Sequence, residues 1–164
     1  MFLSTDRRIK LNTGLRDSGL FISCGKNPPN LMSTHWGALG NIWNRQIFIL
    51  PVRNGKLSHE IIERDKSFAV SVPVTDMSRE VMLCDHMSGY DVNKFEELHF
   101  HPKRAKKIPT YVLADCGLIL ECKVLFSAPA DCGYLDETLK QEMYGKKDFH
   151  SIYFGEVIDC YEFN

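Results

Sequence analysis

Five short apolar runs, each closed off by glycine, proline or a polar cluster, limit what this chain can fold into. They are residues 19–24 (GLFISC), 47–52 (IFILPV), 67–74 (SFAVSVPV), 117–127 (GLILECKVLFS) and 151–163 (SIYFGEVIDCYEF). Runs of this length, rich in Val, Ile and Phe, read as β-strands. Pro51 places the end of the second run near a sheet edge, and Gly155 marks a bulge or a close approach of backbone. Short helical signals lie between the strands. Residues 58–64 (SHEIIER) begin with a hydroxyl, 78–86 carry Val81, Met82 and Cys84 at helical spacing, 91–98 offer Asp91 as a cap, and 136–144 could form another helix. Strands and short helices without regular βαβ alternation predict a mainly β chain, a β-barrel with peripheral helices rather than a doubly wound sheet.

The chain has 164 residues and suits one domain, with residues 1–18 as an N-terminal extension. Its net charge of −1 argues against a nucleic-acid binder that relies on a global basic field, and the cluster 103–107 (KRAKK) reads as a solvated loop. No apolar run approaches the roughly 18 residues that a membrane helix requires, so no membrane partner is expected. Charges fall where a secretory signal would have its apolar core, which points to the cytoplasm. The six cysteines (Cys24, Cys84, Cys116, Cys122, Cys132, Cys160) form no C-x-x-C pair and read as reduced, mostly buried thiols. His99 and His101 form an H-x-H pair downstream of Cys84 and His86, but the spacing matches no common metal site, so no metal is expected. Dinucleotide, Walker and nucleophile-elbow motifs are absent.

The segment 30–58 (NLMSTHWGALGNIWNRQIFILPVRNGKLS) carries the chemistry. It opens with small hydroxyls beside an aromatic and glycines (Ser33, Thr34, Trp36, Gly37, Gly40). It ends in a basic turn (Arg53, Lys56, Ser58). Donors and positive charge suit a phosphate, and glycines with apolar walls suit a flat aromatic cofactor.

Four ordered pieces, NLMSTHWGALGNIW, PVRNGKLSHEII, SGYDVNKFEEL and DFHSIYFGEV, resemble the flavin reductase-like, FMN-binding split-barrel proteins, and within them the flavoredoxin branch. The resemblance runs from about residue 19 to about 162. It implies an antiparallel split β-barrel, a homodimer, and FMN held at the dimer interface. Asn30, Met32, Ser33, Thr34 and Trp36 match the first family motif, with Ser33-Thr34-His35 in place of the usual T-x-S. Arg53, Lys56 and Ser58 match the basic turn, where Lys56 replaces a second arginine and Leu57 a tyrosine. Ser88, Asp91, Lys94 and Phe95 match S-G-x-D-x-x-K-F, with Tyr90 for the frequent arginine. These residues are the cofactor-binding set that the resemblance implies, with the phosphate on Ser33 or Thr34, Arg53, Lys56, Ser58 and Lys94 and the flavin ring along a loop from Met32 to Trp36. His150, just before the last strand, takes an accessory role. Trp43 resembles the flavoredoxin branch and favours a tightly held flavin. The activity so implied is an oxidoreductase that passes hydride or electrons from NADH or NADPH through FMN to free flavin, ferric iron or a redox protein. A flavoredoxin-type electron carrier without its own NAD(P)H reaction, and a non-redox ligand-binding barrel, stay open as alternatives.

Overall fold

The computed structural model describes residues 2–130, 133–145 and 148–163. Its centre is one antiparallel sheet of seven strands: β1 (Leu20–Cys24), β2 (Asn30–Thr34), β3 (Ala38–Ile42), β4 (Arg45–Arg53), β5 (Ser67–Pro73), β8 (Gly117–Pro129) and β9 (His150–Glu162). Their order across the sheet is β2-β1-β5-β8-β9-β4-β3. A separate ribbon pairs β6 (Pro102–Arg104) with β7 (Tyr111–Leu113). The helices α1 (Thr5–Arg16), α2 (Leu57–Asp65), α3 (Ser78–His86), α4 (Lys94–Glu97) and α5 (Glu137–Met143) are short, and no described helix is long and apolar enough to cross a membrane.

The sheet coils. Four neighbour steps separate β1 from β4, yet Leu20 and Ile22 share one buried cluster with Phe48, Leu50 and Val52. That cluster also takes Val70 and Val72 of β5, Leu118 and Leu120 of β8, and Tyr153 of β9. The outer face is covered in two patches. Phe21 and Leu31 pack with Val81, Cys84 and Phe95 of α3 and α4, while Ala69 and Ile119 pack with Ile108 and Val112 beside the small ribbon. With both faces covered, every residue of β1 and β5 is buried, which is why these strands read as apolar runs interrupted only by small serines.

Gly155 is a close-approach point. A Cβ there would lie 2.6 Å from Phe68 Cζ, and the neighbouring register of β8 and β9 is offset at Leu125. Pro51 pairs with Ile152 of β9 beyond the end of β3, whose pairing with β4 stops at Ile49, so a missing N–H is tolerated there.

Local chemistry shifts several expected boundaries. Residues 30–34 form a strand, where a loop was expected from Met32 onward. The N-terminal extension contains α1, capped by the Ser4 hydroxyl and tied to β9 by Arg7 and Lys10 on Glu162. The helix expected over 91–98 shrinks to α4, because Ser88 O accepts from Asp91 N in a turn and Asn93, not Asp91, caps Phe95 N at 3.2 Å. Ser58 does not cap α2; Lys56 holds that position and Ser58 is buried. The basic residues of 103–107 are exposed, as expected, but Lys103 and Arg104 lie in β6 and the backbone that follows is pinned from beneath. The buried Glu121 carboxylate accepts from Lys106 N, Lys107 N and Ile108 N and from the Tyr161 hydroxyl. The five described cysteines are free and buried, and Cys132 lies outside the described residues.

Candidate functional site

A cleft of about 580 Å³ opens where the coiled sheet leaves a seam between β2 and β4. Met32, Ser33 and Thr34 of β2 line one side, Pro51 and Arg53 of β4 and His150 of β9 the other, and α3 closes it with Val81, Met82 and Asp85. Trp36 and Lys56 complete the wall. The volume falls within the roughly 300–1,000 Å³ of small-molecule sites.

Two cations face this space from a braced turn. Residues 53–56 (RNGK) leave β4 and are fastened to the start of β9. Arg53 Nη1 donates to Asp148 O at 3.0 Å, Asn54 N donates to Phe149 O at 2.9 Å, and Gly55 N donates to the Asp148 carboxylate. Ser151 Oγ donates to Asn54 Oδ1 at 2.8 Å. Lys56 Nζ lies 3.6 Å from Asp85 Oδ1.

The apolar side is built on β2. Thr34 Oγ1 accepts from Trp36 N at 2.9 Å, a local turn that presents the tryptophan ring at 41% exposure. That ring packs against His150, with centroids 5.0 Å apart. His150 is itself buried and shares a 3.0 Å hydrogen bond between Nδ1 and the Tyr144 hydroxyl. Burial, reinforced by the positive charge of Arg53 against the opposing pull of Asp148, lowers its pKa to about 4, so the ring is neutral at pH 7.

The expected site residues divide into two groups. Met32, Ser33, Thr34, Trp36, Arg53, Lys56 and His150 line the cleft. Asn30, Ser58, Ser88, Asp91, Lys94 and Phe95 do not. Asn30 Nδ2 donates to Ser58 Oγ at 2.7 Å, joining β2 to α2 behind the cleft. Lys94 is buried, and its ammonium donates to Cys84 O at 2.8 Å, near the end of α3. Desolvation lowers its pKa. Phe95 is buried in the cluster under α3, Ser88 accepts from Tyr90 N, and Asp91 is exposed. Ser33 lines the cleft, but its hydroxyl donates to Val81 O at 2.9 Å, so it braces α3 against β2.

Sequence reasoning missed His35, Pro51, Ser78, Val81, Met82, Asp85, His86, and Asp17 with Ser18. Pro51 was visible inside its strand. The α3 residues carried no signal, because only the fold brings that helix across the seam. Among the described residues no cluster of three His, Cys, Asp or Glu side chains could hold a metal.

The donor set suits one kind of ligand. Arg53 and Lys56 offer charge-assisted hydrogen bonds to an anion, while Met32, Trp36, Pro51, Val81 and Met82 offer walls to a planar apolar body.

Solved structures share this architecture. A flavoredoxin from Methanosarcina acetivorans superposes with a TM-score of 0.70 at 22% identity, covering 88% of this chain and 67% of that one. An NADH:FAD oxidoreductase from Streptomyces globisporus gives 0.67 at 16% identity, covering 99% and 87%. At these identities the likeness is one of fold. An uncharacterized protein of Archaeoglobus fulgidus is 26% identical over 104 residues, 63% of this chain, and the chain spans 58% of the length of that relative. Residues 46–164, which carry nearly all of β4, the basic turn, α3 and β9, match the flavin reductase like domain, and the chain belongs to that family.

Proposed function

We infer that this chain binds FMN in the β2–β4 cleft and serves as a flavin-dependent oxidoreductase. The observation that carries the reading is the meeting of Arg53 and Lys56 with Trp36 and Met32 in one cleft of suitable volume. Arg53 and Lys56 hold the phosphate. Met32, Trp36, Pro51 and Met82 receive the ring. When bound, FMN supplies the redox chemistry, accepting hydride from NADH or NADPH and releasing electrons to free flavin, ferric iron or a redox protein.

The chain's own residues do the rest. His150, neutral and locked between Trp36 and Tyr144, fixes the tryptophan's tilt and keeps a second positive charge away from Arg53. The Asn30–Ser58 and Lys94–Cys84 hydrogen bonds act behind the cleft, holding β2 on α2 and α3 on α4. Five buried free thiols support a reducing compartment, the cytoplasm. Pairing of two protomers is part of the same reading. Its support is a surface cluster of aromatic rings: Trp43 (58% exposed) and Phe126 (49%), with Phe154.

The test is purification followed by an absorption spectrum and cofactor extraction. A yellow protein with a band near about 450 nm and released FMN is expected. Colourless protein that takes up no added FMN would refute the reading. Anaerobic stopped-flow with NADH and NADPH then separates a reductase, which bleaches at a catalytic rate, from a carrier that needs another donor.

A further inference from the structure

We propose that Asp85 competes with the ligand's phosphate for Lys56 and thereby sets how tightly FMN is held. This rests on the FMN reading above. Asp85 lies in the last turn of α3 and lines the cleft opposite the basic turn. Its carboxylate is 67% exposed and stands 3.6 Å from Lys56 Nζ. The other lining carboxylate, Asp17, is already paired with Arg16 at 2.7 and 3.0 Å. Among the described residues lining the cleft, Asp85 is therefore the acid that addresses Lys56.

That placement is costly for an anion seat. A phosphate monoester carries between one and two negative charges near pH 7. To reach Lys56 it must displace one carboxylate and then sit beside it. The partial negative charge at the C-terminus of α3 adds to the repulsion. Lys94, donating to Cys84 O from behind, offsets part of that helix charge and also attracts the Asp85 carboxylate, but the cation within ion-pair distance of that carboxylate is Lys56. The fold does not require the acid: it is solvated, and an exposed pair contributes little stability. Its consequence falls on the ligand. Lys56 is held over the cleft before binding, and the phosphate is released more readily afterward, so the flavin exchanges instead of being permanently retained.

The 164-residue chain, freed of flavin, is titrated with FMN and with riboflavin by fluorescence quenching at fixed ionic strength. Wild type, Asp85→Asn, Lys56→Ala and the double variant are compared. Asp85→Asn should tighten FMN about threefold to tenfold and leave riboflavin within about twofold. The gain should vanish in the Lys56→Ala background. Equal change for both flavins, an unchanged or weakened FMN affinity, or a gain that survives Lys56→Ala would overturn the competition. FMN bound but indifferent to Asp85 overturns this inference alone; a wild-type chain that binds neither flavin overturns the FMN reading with it.

Discussion

His150 shows how one side chain can serve a site by staying uncharged. Its ring is packed between Trp36 and Tyr144, next to Arg53, and protonation would place two cations together in a buried corner. The native ring takes up a proton only near pH 4, whereas an unfolded chain does so near 6.5. The unfolded state therefore binds more protons between these values. The stabilisation is fully present above pH 6.5 and is lost as pH falls toward 4, by about 3 kcal/mol at most. Urea unfolding at a series of pH values should show this slope in wild type and a flatter one in His150→Gln. Parallel slopes would mean that the ring is accessible to protons in the native state. Lys94 teaches the complementary lesson: a lysine matched to a phosphate-binding pattern sits buried behind the cleft, donating to a helix carbonyl.

At the scale of elements, the strands with two covered faces were legible and the edge elements were not. β1, β5 and the inner parts of β8 and β9 announce themselves because burial on both sides demands mostly apolar residues. β2 hides because Asn30, Ser33 and Thr34 spend their polar groups on Ser58, Val81 and Trp36, contacts created only by the fold. β3 hides as a half-exposed edge strand, and α1 because its buried positions are only Leu11 and Gly14. The basic turn of the site could be read in advance, since Arg53 and Lys56 are adjacent in sequence to a strong strand. The α3 wall could not, because its meeting with β2 and β4 is a tertiary event. The pinned loop 105–110 belongs to this scale too. Glu121 satisfies three backbone donors and a tyrosine hydroxyl inside the protein. Glu121→Ala would leave Ile108 N and the Tyr161 hydroxyl buried and unpaired and free the part-buried amides of Lys106 and Lys107, so we expect about 3 kcal/mol of lost stability in urea unfolding and faster amide exchange over 106–108; Glu121→Gln should lose about half as much. An unchanged midpoint in both variants would contradict this role.

Across the whole molecule, the coiled sheet does two things at once. It buries a shared core between strands that are distant in the sheet order, and it leaves a seam in which Arg53 at the end of β4 and Lys56 in the turn after it face Met32 of β2 and Trp36 just beyond that strand. The outer surface carries its own unusual feature. Trp43 and Asn44 form the β3–β4 turn with φ of 55° and 56°, the left-handed region in which a tryptophan is uncommon, and the ring stands exposed beside Phe126 and Phe154. If this cluster joins protomers, Trp43→Ser combined with Phe126→Ser should convert a dimer to a monomer in size-exclusion chromatography with light scattering. A wild-type monomer, or a variant that stays dimeric, would remove the cluster from that role.

The claim on which the function rests is that an anionic tail is seated by Arg53 and Lys56. Isothermal titration of the flavin-free chain with FMN and with riboflavin addresses it most directly, because the two ligands differ only in the phosphate. FMN should bind at least about tenfold more tightly, and Arg53→Ala or Lys56→Ala should weaken FMN by about tenfold while moving riboflavin by no more than about twofold. Equal affinity for the two flavins, or FMN binding that survives both substitutions, would contradict the account.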